Sequence, residues 1–143
     1  MKKNTVRIAW FGVFTALALI FSYVETLIPF QIGIPGVKLG LANLIVVVAL
    51  YKMGGKDAML LSVTRIVLSG FIFASLFSIL YSLAGATVSF FVMWLTKKRH
   101  LSIRPVSVLG GISHNIGQFL VALVLLGTPM WYYLPYLLLM GMV

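Results

Sequence analysis

Long apolar segments, separated by short breaks of basic, glycine or proline residues, run through the whole length of this sequence. Hydrophobic residues make up 62% of the chain and charged residues only 9%, so a soluble fold of this size would lack the polar side chains to cover its surface. A helix needs an apolar segment of about 20 residues to cross the hydrocarbon core of a bilayer. The pattern therefore predicts an all-α integral membrane protein that forms a single transmembrane domain over residues 1–143.

The breaks divide the chain into six predicted membrane helices, at residues 6–28, 38–53, 57–73, 75–96, 105–126 and from 130 or 131 to 143. Pro29 ends the first helix, and Asp57 is a favourable N-cap for the third. Only Ser69 and Gly70 mark the boundary between the third and fourth helices, so the third is expected to end at residue 70 or 73. The last apolar segment holds about thirteen residues, too few to cross a bilayer, which predicts that the natural chain continues beyond Val143.

Almost all of the cationic side chains lie at the breaks between apolar segments rather than within them. With the N-terminus in the cytoplasm, nine of them fall on the cytoplasmic side: Lys2, Lys3, Arg7, Lys52, Lys56, Lys97, Lys98, Arg99 and Arg104. Cytoplasmic loops of membrane proteins carry an excess of Lys and Arg, so this orientation is predicted over its inverse. The net charge of +9 then reflects membrane topology rather than nucleic-acid binding, and the absence of cysteine excludes disulfides and cysteine-bound metals.

The stretch 33–43 is the longest interruption between the first two apolar segments, and it contains turn residues, one cation and one amide. We expect it to cover the outer mouth of the helical bundle, with Lys38 at its edge and Asn43 pointing into it. Arg65 lies within the third apolar segment, where a cation costs about 2.5–3.5 kcal/mol on insertion scales, so it should face a partner or a hydrated cavity. One interpretation is a structural ion pair with Glu25, and the other is ligand binding.

A second group of polar side chains interrupts the fifth apolar segment at residues 113–118. His114 and Gln118 are four residues apart, and Asn115 and Gln118 are three apart, so Gln118 shares a helix face with each of them. Hydrogen bonds between membrane helices are one explanation, each worth about 0.6 kcal/mol. Three glycines leave room beside this face: Gly110, Gly111 and Gly117. We therefore favour a polar cavity over a purely interhelical role.

Polar residues from different segments are expected at a similar depth towards the outer side of the membrane: Glu25, Lys38, Asn43, Arg65 and Gln118, with His114 deeper. This convergence predicts a substrate-binding pocket that opens to the outside, and Asn115 is expected to line it too. Cations outnumber the single carboxylate in this group. The expected ligand is therefore a small molecule that carries an anionic or strongly hydrogen-bond-accepting group.

Gly12 and Ala16 lie one helical turn apart on the first segment, and small residues at this spacing let a second helix approach closely. That second helix could belong to this chain, which would give the pair a packing role. It could also belong to a partner protein, which would make this face a coupling surface.

Several motifs together resemble those of the bacterial Gx transporter family, which is also catalogued as heptaprenyl diphosphate synthase component I. They are GIPGVKLGLAN at 33–43, Arg65, SLAG at 82–85, Met93, HNIGQ at 114–118 and YLPYL at 133–137. This family is similar to the S components of energy-coupling-factor transporters, which are six-helix membrane proteins that capture a vitamin-like compound outside the cell. The resemblance covers nearly the whole chain. It implies an S-component-like bundle in the bacterial cytoplasmic membrane, with Gly12 and Ala16 facing an energy-coupling module.

The two family names imply two functions, of which we favour the first. As a substrate-binding transport component, the chain would take up a small anionic, isoprenoid or vitamin-like compound, and ATPases on other chains would drive uptake because no Walker A sequence is present. The alternative is a membrane subunit for the synthesis of heptaprenyl diphosphate and the menaquinone side chain, partnered by a soluble prenyl synthase. A purely structural membrane subunit is a third alternative.

The acidic residues argue against catalysis by the chain alone. Prenyl elongation requires Mg²⁺ held by clustered carboxylates, whereas this chain has only Glu25 and Asp57, which are predicted on opposite sides of the membrane. We therefore expect no enzymatic activity, no metal site and no cofactor. The expected partners are the lipid bilayer, a small-molecule substrate, and either an energy-coupling module or a soluble prenyl synthase subunit.

Overall fold

The computed structural model describes residues 2–28 and 40–142, which are helical apart from the turns that join the helices. Within this part of the chain six α-helices follow one another, with a 3₁₀-helix between the last two. They are α1 (Lys2–Leu27), α2 (Leu41–Lys52), α3 (Gly55–Phe73), α4 (Leu76–Lys98), α5 (Ile103–Leu126), the 3₁₀-helix (Thr128–Tyr133) and α6 (Leu134–Met142). The all-α fold predicted from the sequence is confirmed.

Helices α1, α4 and α5 are long and apolar enough to cross a membrane. Large apolar side chains on their outer faces are exposed, for example Ile8 at 71% and Val124 at 83%. Such a surface is favourable against lipid and unfavourable against water. The 12 residues of α2 span only about 18 Å, and the 9 residues of α6 are fewer still. Both helices are thus shorter than the hydrocarbon core of about 30 Å.

Glycines set the starts of α2 and α3, and these starts differ from the prediction. Gly40 precedes α2 with φ of 85°, so α2 begins at Leu41 rather than at residue 38. Gly54 precedes α3 with φ of 98°, a conformation that residues with a side chain rarely adopt. The prediction that Asp57 caps α3 is therefore wrong. Asp57 lies in the first turn of α3, and its carboxylate binds α1 instead.

The third helix was predicted to end at residue 70 or 73, and α3 ends at Phe73. Ser75 is the N-cap of α4, and its hydroxyl oxygen accepts a hydrogen bond from the Ser78 backbone N–H at 3.3 Å. At the other end of the described chain, the predicted start of the last helix at 130 or 131 falls in the 3₁₀-helix. The α-helical part begins only at Leu134.

The backbones of α4 and α5 approach closely at Gly85 and Gly117. A Cβ atom on Gly117 would lie 2.8 Å from the Gly85 Cα atom, and one on Gly85 would lie 2.7 Å from the His114 carbonyl oxygen. Helices α5 and α6 meet in the same way, since a Cβ atom on Gly141 would lie 2.8 Å from the Gly111 carbonyl oxygen. Small residues allow membrane helices to pack at this distance. These contacts hold α5 between α4 and α6.

Apolar side chains from α1 to α5 pack into a buried cluster around α2. Its members include Phe14, Ala18, Val46, Val47, Leu50, Leu61, Met93 and Val106. Lipid tails are as apolar as these side chains, so close packing rather than the hydrophobic effect stabilises the cluster.

Five helix ends lie at one end of the bundle, which we call the basic end. They are the N-terminal ends of α1, α3 and α5 and the C-terminal ends of α2 and α4. Arg7 forms an ion pair with Asp57, and the Lys52 ammonium lies 3.9 Å from the centroid of the Trp10 ring. Lys97 donates a hydrogen bond to a carbonyl oxygen in the last turn of α2. Cations that were predicted to share one side of the membrane therefore lie together at one end of the bundle.

Candidate functional site

Polar side chains are buried in the interior of the bundle although the helices that carry them are apolar. Arg65 and His114 are 6% and 4% exposed, and Gln118 is completely buried. Buried serines, none of which was predicted to bind the substrate, accompany these predicted site residues. The buried serines are Ser22, Ser62, Ser69, Ser78, Ser82, Ser89 and Ser113. Those on α4 could have been found from their spacing of four and seven residues, which places them on one helix face.

Arg65 lies near the middle of α3 and is influenced by Glu25 on α1. The negative charge of Glu25 stabilises the Arg65 guanidinium group electrostatically. Glu25 Oε1 also accepts a hydrogen bond from the backbone N–H of Leu41, the first residue of α2. Among the described residues no hydrogen-bond partner reaches Arg65 Nε. Attraction to Glu25 therefore compensates part of the charge of Arg65 and leaves a buried donor unsatisfied.

Asn43 lies in the first turn of α2 and joins α2 to α4 and α5. Its Nδ2 atom donates a hydrogen bond to Ser89 Oγ at 3.2 Å, and Ser89 Oγ donates to the Gly110 carbonyl oxygen at 2.8 Å. Asn43 is 4% exposed, so its amide contacts other helices rather than an open mouth. This finding differs from the prediction that Asn43 points into the outer mouth of the bundle.

The contacts of Asn43 also place it at mid-depth in the bundle. Asn43 lies nine residues before the end of α2 (52 − 43), which is about 14 Å along the axis. Ser89 lies nine residues before the end of α4 (98 − 89), the same distance from the basic end. Gln118 lies eight residues beyond Gly110 (118 − 110), about 12 Å further along α5. Asn43 and Gln118 therefore differ in depth, contrary to prediction, because α2 is short.

The three polar residues of α5 face the helices on either side of it. Asn115 Nδ2 donates a hydrogen bond to the Leu137 carbonyl oxygen of α6 at 2.6 Å. His114 and Gln118 face Gly85 of α4, where an added Cβ atom would lie 3.0 Å from each of their side chains. Neither amide atom of Gln118 has a hydrogen-bond partner in the described part of the chain. A buried, unsatisfied amide costs about 1–3 kcal/mol, which a bound water or ligand would offset.

Gly110 and Gly117 do not open a cavity, contrary to the expectation from the sequence, whereas Gly111 lines a small cavity between α2, α5 and α6. A Cβ atom on Gly110 would lie 2.6 Å from Met93 Sδ, and one on Gly117 would lie 2.9 Å from the Ala84 carbonyl oxygen. Gly111 packs against α6 in the same manner. The room beside Gly110 and Gly117 is therefore filled by α4.

A small cavity remains beside Asn43, between α2, α5 and α6. Its volume of about 40 Å³ is sufficient for a water molecule. Sites for small organic ligands usually measure about 300–1,000 Å³, so this cavity is too small for a vitamin-like compound. Lys38, the other residue predicted at the mouth, lies outside the described residues.

Gly12 and Ala16 lie on an outward face of α1. A Cβ atom on Gly12 would meet no atom within 4 Å, and Ala16 is exposed. Gly12 therefore makes no close contact with another described helix of this chain, which argues against an internal packing role at this position. This face of α1 is open to lipid or to a helix of another protein.

A second candidate site lies at the basic end and was not found from the sequence. It is an open cleft of about 540 Å³, here called the basic cleft, lined by Lys3, Arg7, Trp10, Lys52, Lys56 and Asp57. Next to it is a depression of about 370 Å³, here called the apolar groove, lined mainly by Ile8, Phe11, Met53 and Leu60. Arg7 and Asp57 line both, so the cleft and the groove are neighbours.

The Arg7–Asp57 ion pair separates the basic cleft from the apolar groove. Arg7 Nε donates a hydrogen bond to Asp57 Oδ2 at 2.6 Å, and Nη2 donates to Oδ1. The Arg7 side chain is 61% exposed, and that of Asp57 is 10% exposed. One signal could have revealed this pair, because Asp57 is the single carboxylate among the cations predicted on the cytoplasmic side.

Comparison with known proteins identifies one family. The model of the family described as heptaprenyl diphosphate synthase component I matches residues 14–143. Searches of curated proteins and of solved structures gave no significant match. The family match covers every helix, although it begins within α1 and leaves Arg7 outside the matched region.

Proposed function

We propose that this chain, which belongs to the heptaprenyl diphosphate synthase component I family, is the non-catalytic membrane subunit of a prenyl diphosphate synthase whose catalytic subunit is a separate protein. The two carboxylates of the sequence carry the proposal. Asp57 is bound by Arg7, and Glu25 binds the start of α2. Prenyl elongation uses Mg²⁺ held by clustered carboxylates, so this chemistry requires carboxylates that these 143 residues do not supply.

The distance between the two carboxylates also supports a catalytic site on a separate subunit. Glu25 lies eighteen residues after Arg7 on α1 (25 − 7), about 27 Å along the axis. Asp57 is bound to Arg7 and therefore lies far from Glu25. Oxygen ligands of one Mg²⁺ ion lie about 2.0–2.1 Å from the metal, so these two carboxylates are not expected to share an ion.

The chemistry of the product explains why such a synthase would use a membrane subunit. Each CH₂ group buried in lipid contributes about 0.8 kcal/mol, so a lengthening prenyl chain partitions into the bilayer while its diphosphate stays at the surface. Helices α1, α4 and α5 supply the apolar surface that holds a subunit in lipid. We propose that the chain keeps the soluble catalytic subunit at the membrane where the product accumulates.

The proposal is tested by reconstituting the chain in proteoliposomes with Mg²⁺, farnesyl diphosphate and labelled isopentenyl diphosphate. The chain alone should form no longer product. Addition of an aspartate-rich synthase subunit from the same cell should give elongation, with more product in the lipid phase than the same subunit gives on empty liposomes. Elongation by the chain alone would contradict the proposal, and so would identical products from loaded and empty liposomes.

Transport is the second candidate function, and one observation favours it. Arg65 and Gln118 are buried in apolar helices, with polar atoms that no described residue satisfies. Polar residues inside membrane helices often mark a substrate path. In this proposal Arg65, Gln118 and His114 bind an anionic or hydrogen-bond-accepting small molecule, and the open face of α1 at Gly12 and Ala16 binds an energy-coupling module.

A further inference from the structure

We propose that the basic cleft and the apolar groove together bind one amphiphile, a prenyl diphosphate, with its head in the cleft and its chain in the groove. The inference rests on the proposed synthase function and adds the place where substrate or product is held. It is carried by the charge of the cleft, the composition of the groove and the ion pair that both share.

The basic cleft carries a clear excess of positive charge. Four cations line it, at Lys3, Arg7, Lys52 and Lys56, against the single carboxylate of Asp57. The net charge of these lining residues is therefore +3 (4 − 1). Hydrogen bonds between ammonium groups and phosphate oxygens are strong because both partners are charged. A diphosphate carries more negative charge than the phosphodiester of a common lipid and matches this excess better.

The start of α3 adds backbone donors to the same cleft. Gly54 and Gly55 line it, and no side chain caps the N-terminus of α3. The first N–H groups of a helix have no partner within the helix and favour an anion. A phosphate group in the cleft would therefore meet lysine ammonium groups and this helix start together.

The ion pair prevents the carboxylate from opposing an anion. Arg7 engages Asp57 through Nε and Nη2, which compensates the negative charge. Its remaining nitrogen, Nη1, is not used in this pair and can donate to a phosphate oxygen from the boundary between cleft and groove. Arg7 thus lies at the point where the head and chain of one amphiphile would meet.

The apolar groove has the composition that a prenyl chain requires. Ile8, Phe11, Met53 and Leu60 line it, and its volume is about 370 Å³. Ile8 and Leu60 are 71% and 58% exposed, so the groove is open towards the surroundings of α1 and α3. In a bilayer a prenyl chain can enter it sideways while the diphosphate remains at the interface.

Binding can be measured by calorimetry with the full chain in nanodiscs of neutral phosphatidylcholine. Farnesyl diphosphate should bind, and inorganic diphosphate should bind at least about tenfold more weakly because it lacks the chain. Equal affinities for the two compounds would overturn the role of the groove. Farnesyl diphosphate should also keep its affinity when phosphatidylglycerol is added to the nanodisc. Its displacement by phosphatidylglycerol would show a general site for acidic lipids and overturn the proposal.

Paired variants test the head site. The combination of Lys52→Gln and Lys56→Gln should raise the Kd for farnesyl diphosphate about tenfold or more, since each cation near an anionic group contributes substantially. Lys98→Gln is the matched control, because its ammonium also lies over a tryptophan, 3.6 Å from the centroid of Trp94, without lining the cleft. An equal effect of the control and the double variant would overturn the assignment.

A second pair of variants tests the groove. Leu60→Asn should weaken the binding of farnesyl diphosphate and leave that of inorganic diphosphate unchanged. Leu80→Asn is its control, since Leu80 is 55% exposed on α4 and Leu60 is 58% exposed on α3. Equal losses of affinity for farnesyl diphosphate in both variants would overturn the assignment of the groove as the site of the prenyl chain. Thermal midpoints of all variants identify any that fail to fold, and the remaining pair then decides the question.

Failure of this site and failure of the synthase function can be told apart. If the Lys52 and Lys56 variants bind farnesyl diphosphate as the wild type does, while the chain still changes the product of the soluble subunit, the site is refuted and the function stands. If the binding pattern is as expected but the chain has no effect on the soluble subunit, the synthase function is refuted and the site stands.

Discussion

Arg7 Nε lies 2.6 Å from Asp57 Oδ2, so a bidentate ion pair joins the second turn of α1 to the first turn of α3 at the basic end. The two partners are unequally exposed, at 61% for the Arg7 side chain and 10% for that of Asp57. Asp57 therefore relies on its partner to stabilise its charge more than Arg7 does, because water can solvate the exposed guanidinium group.

The first prediction is that Arg7→Met lowers the thermal midpoint more than Asp57→Asn does. Without Arg7 a largely buried carboxylate loses its partner, whereas without Asp57 the exposed guanidinium is solvated by water. Thermal unfolding of the purified chain in detergent measures both midpoints, with Arg99→Met as an exposed control at the same end. Equal losses, or a larger loss for Asp57→Asn, would contradict this account of the pair.

The second prediction compares two glycines that both lie inside helices but differ in packing. Gly117 lies against the backbone of α4, whereas Gly12 faces open space. Gly117→Ala should destabilise the bundle by about 1–3 kcal/mol, because overpacking forces helices apart and the new Cβ atom would lie 2.8 Å from Gly85 Cα. Gly12→Ala should be neutral or stabilise by up to about 1 kcal/mol, since helix propensity improves and no atom lies within 4 Å. Unfolding in denaturing detergent compares them. Similar results for both would show that α4 and α5 do not pack through Gly117.

The third prediction separates transport from a structural role of Arg65. If Arg65 binds a ligand, Arg65→Gln should insert normally but copurify without the small molecule that mass spectrometry finds on the wild type. Arg65→Lys should lose much of it too, because lysine lacks the planar fork of arginine. The double change with Glu25→Gln should not restore it. If the double variant instead recovers both expression and the bound compound, Arg65 is structural and the transport candidate loses its central residue.

The fourth prediction is the orientation of the chain, with the basic end in the cytoplasm. The sequence contains no cysteine, so single cysteines report topology without interference. Ala74→Cys, in the exposed turn between α3 and α4, should react with an impermeant reagent in intact cells. Lys98→Cys, at the basic end, should react only after permeabilisation. The reverse pattern would refute the orientation.

The sequence predicted those features that depend on composition and local signals. Apolar segment length gave the all-α membrane fold. The predicted start of the fourth helix at residue 75 lies one residue before the observed start at Leu76, and the positions of the cations predicted the gathering of charge at one end of the bundle. These properties are visible in neighbouring residues, because a helix start or a run of apolar side chains needs no information from the rest of the chain.

The depth of the buried polar residues along the bundle axis, and the residues that they contact, could not be predicted from local sequence signals. Periodicity shows which helix face Asn43 lies on, but its depth follows from the start of α2 at Leu41, which Gly40 determines. The sequence alone does not show whether a glycine such as Gly110 lines a cavity or packs against a side chain of another helix, as it does against Met93. The Arg7–Asp57 pair joins residues fifty positions apart, and only the packing of α1 on α3 brings them together.

The most direct test of the central claim, that this chain is a membrane subunit which acts through a soluble catalytic partner, is a flotation measurement. The aspartate-rich synthase subunit is mixed with proteoliposomes that contain the chain, or with empty liposomes of the same lipid, and centrifuged through a density gradient. The account predicts that the subunit floats with the loaded vesicles and remains at the bottom with the empty ones. Equal distribution of the subunit between the two gradients would contradict it.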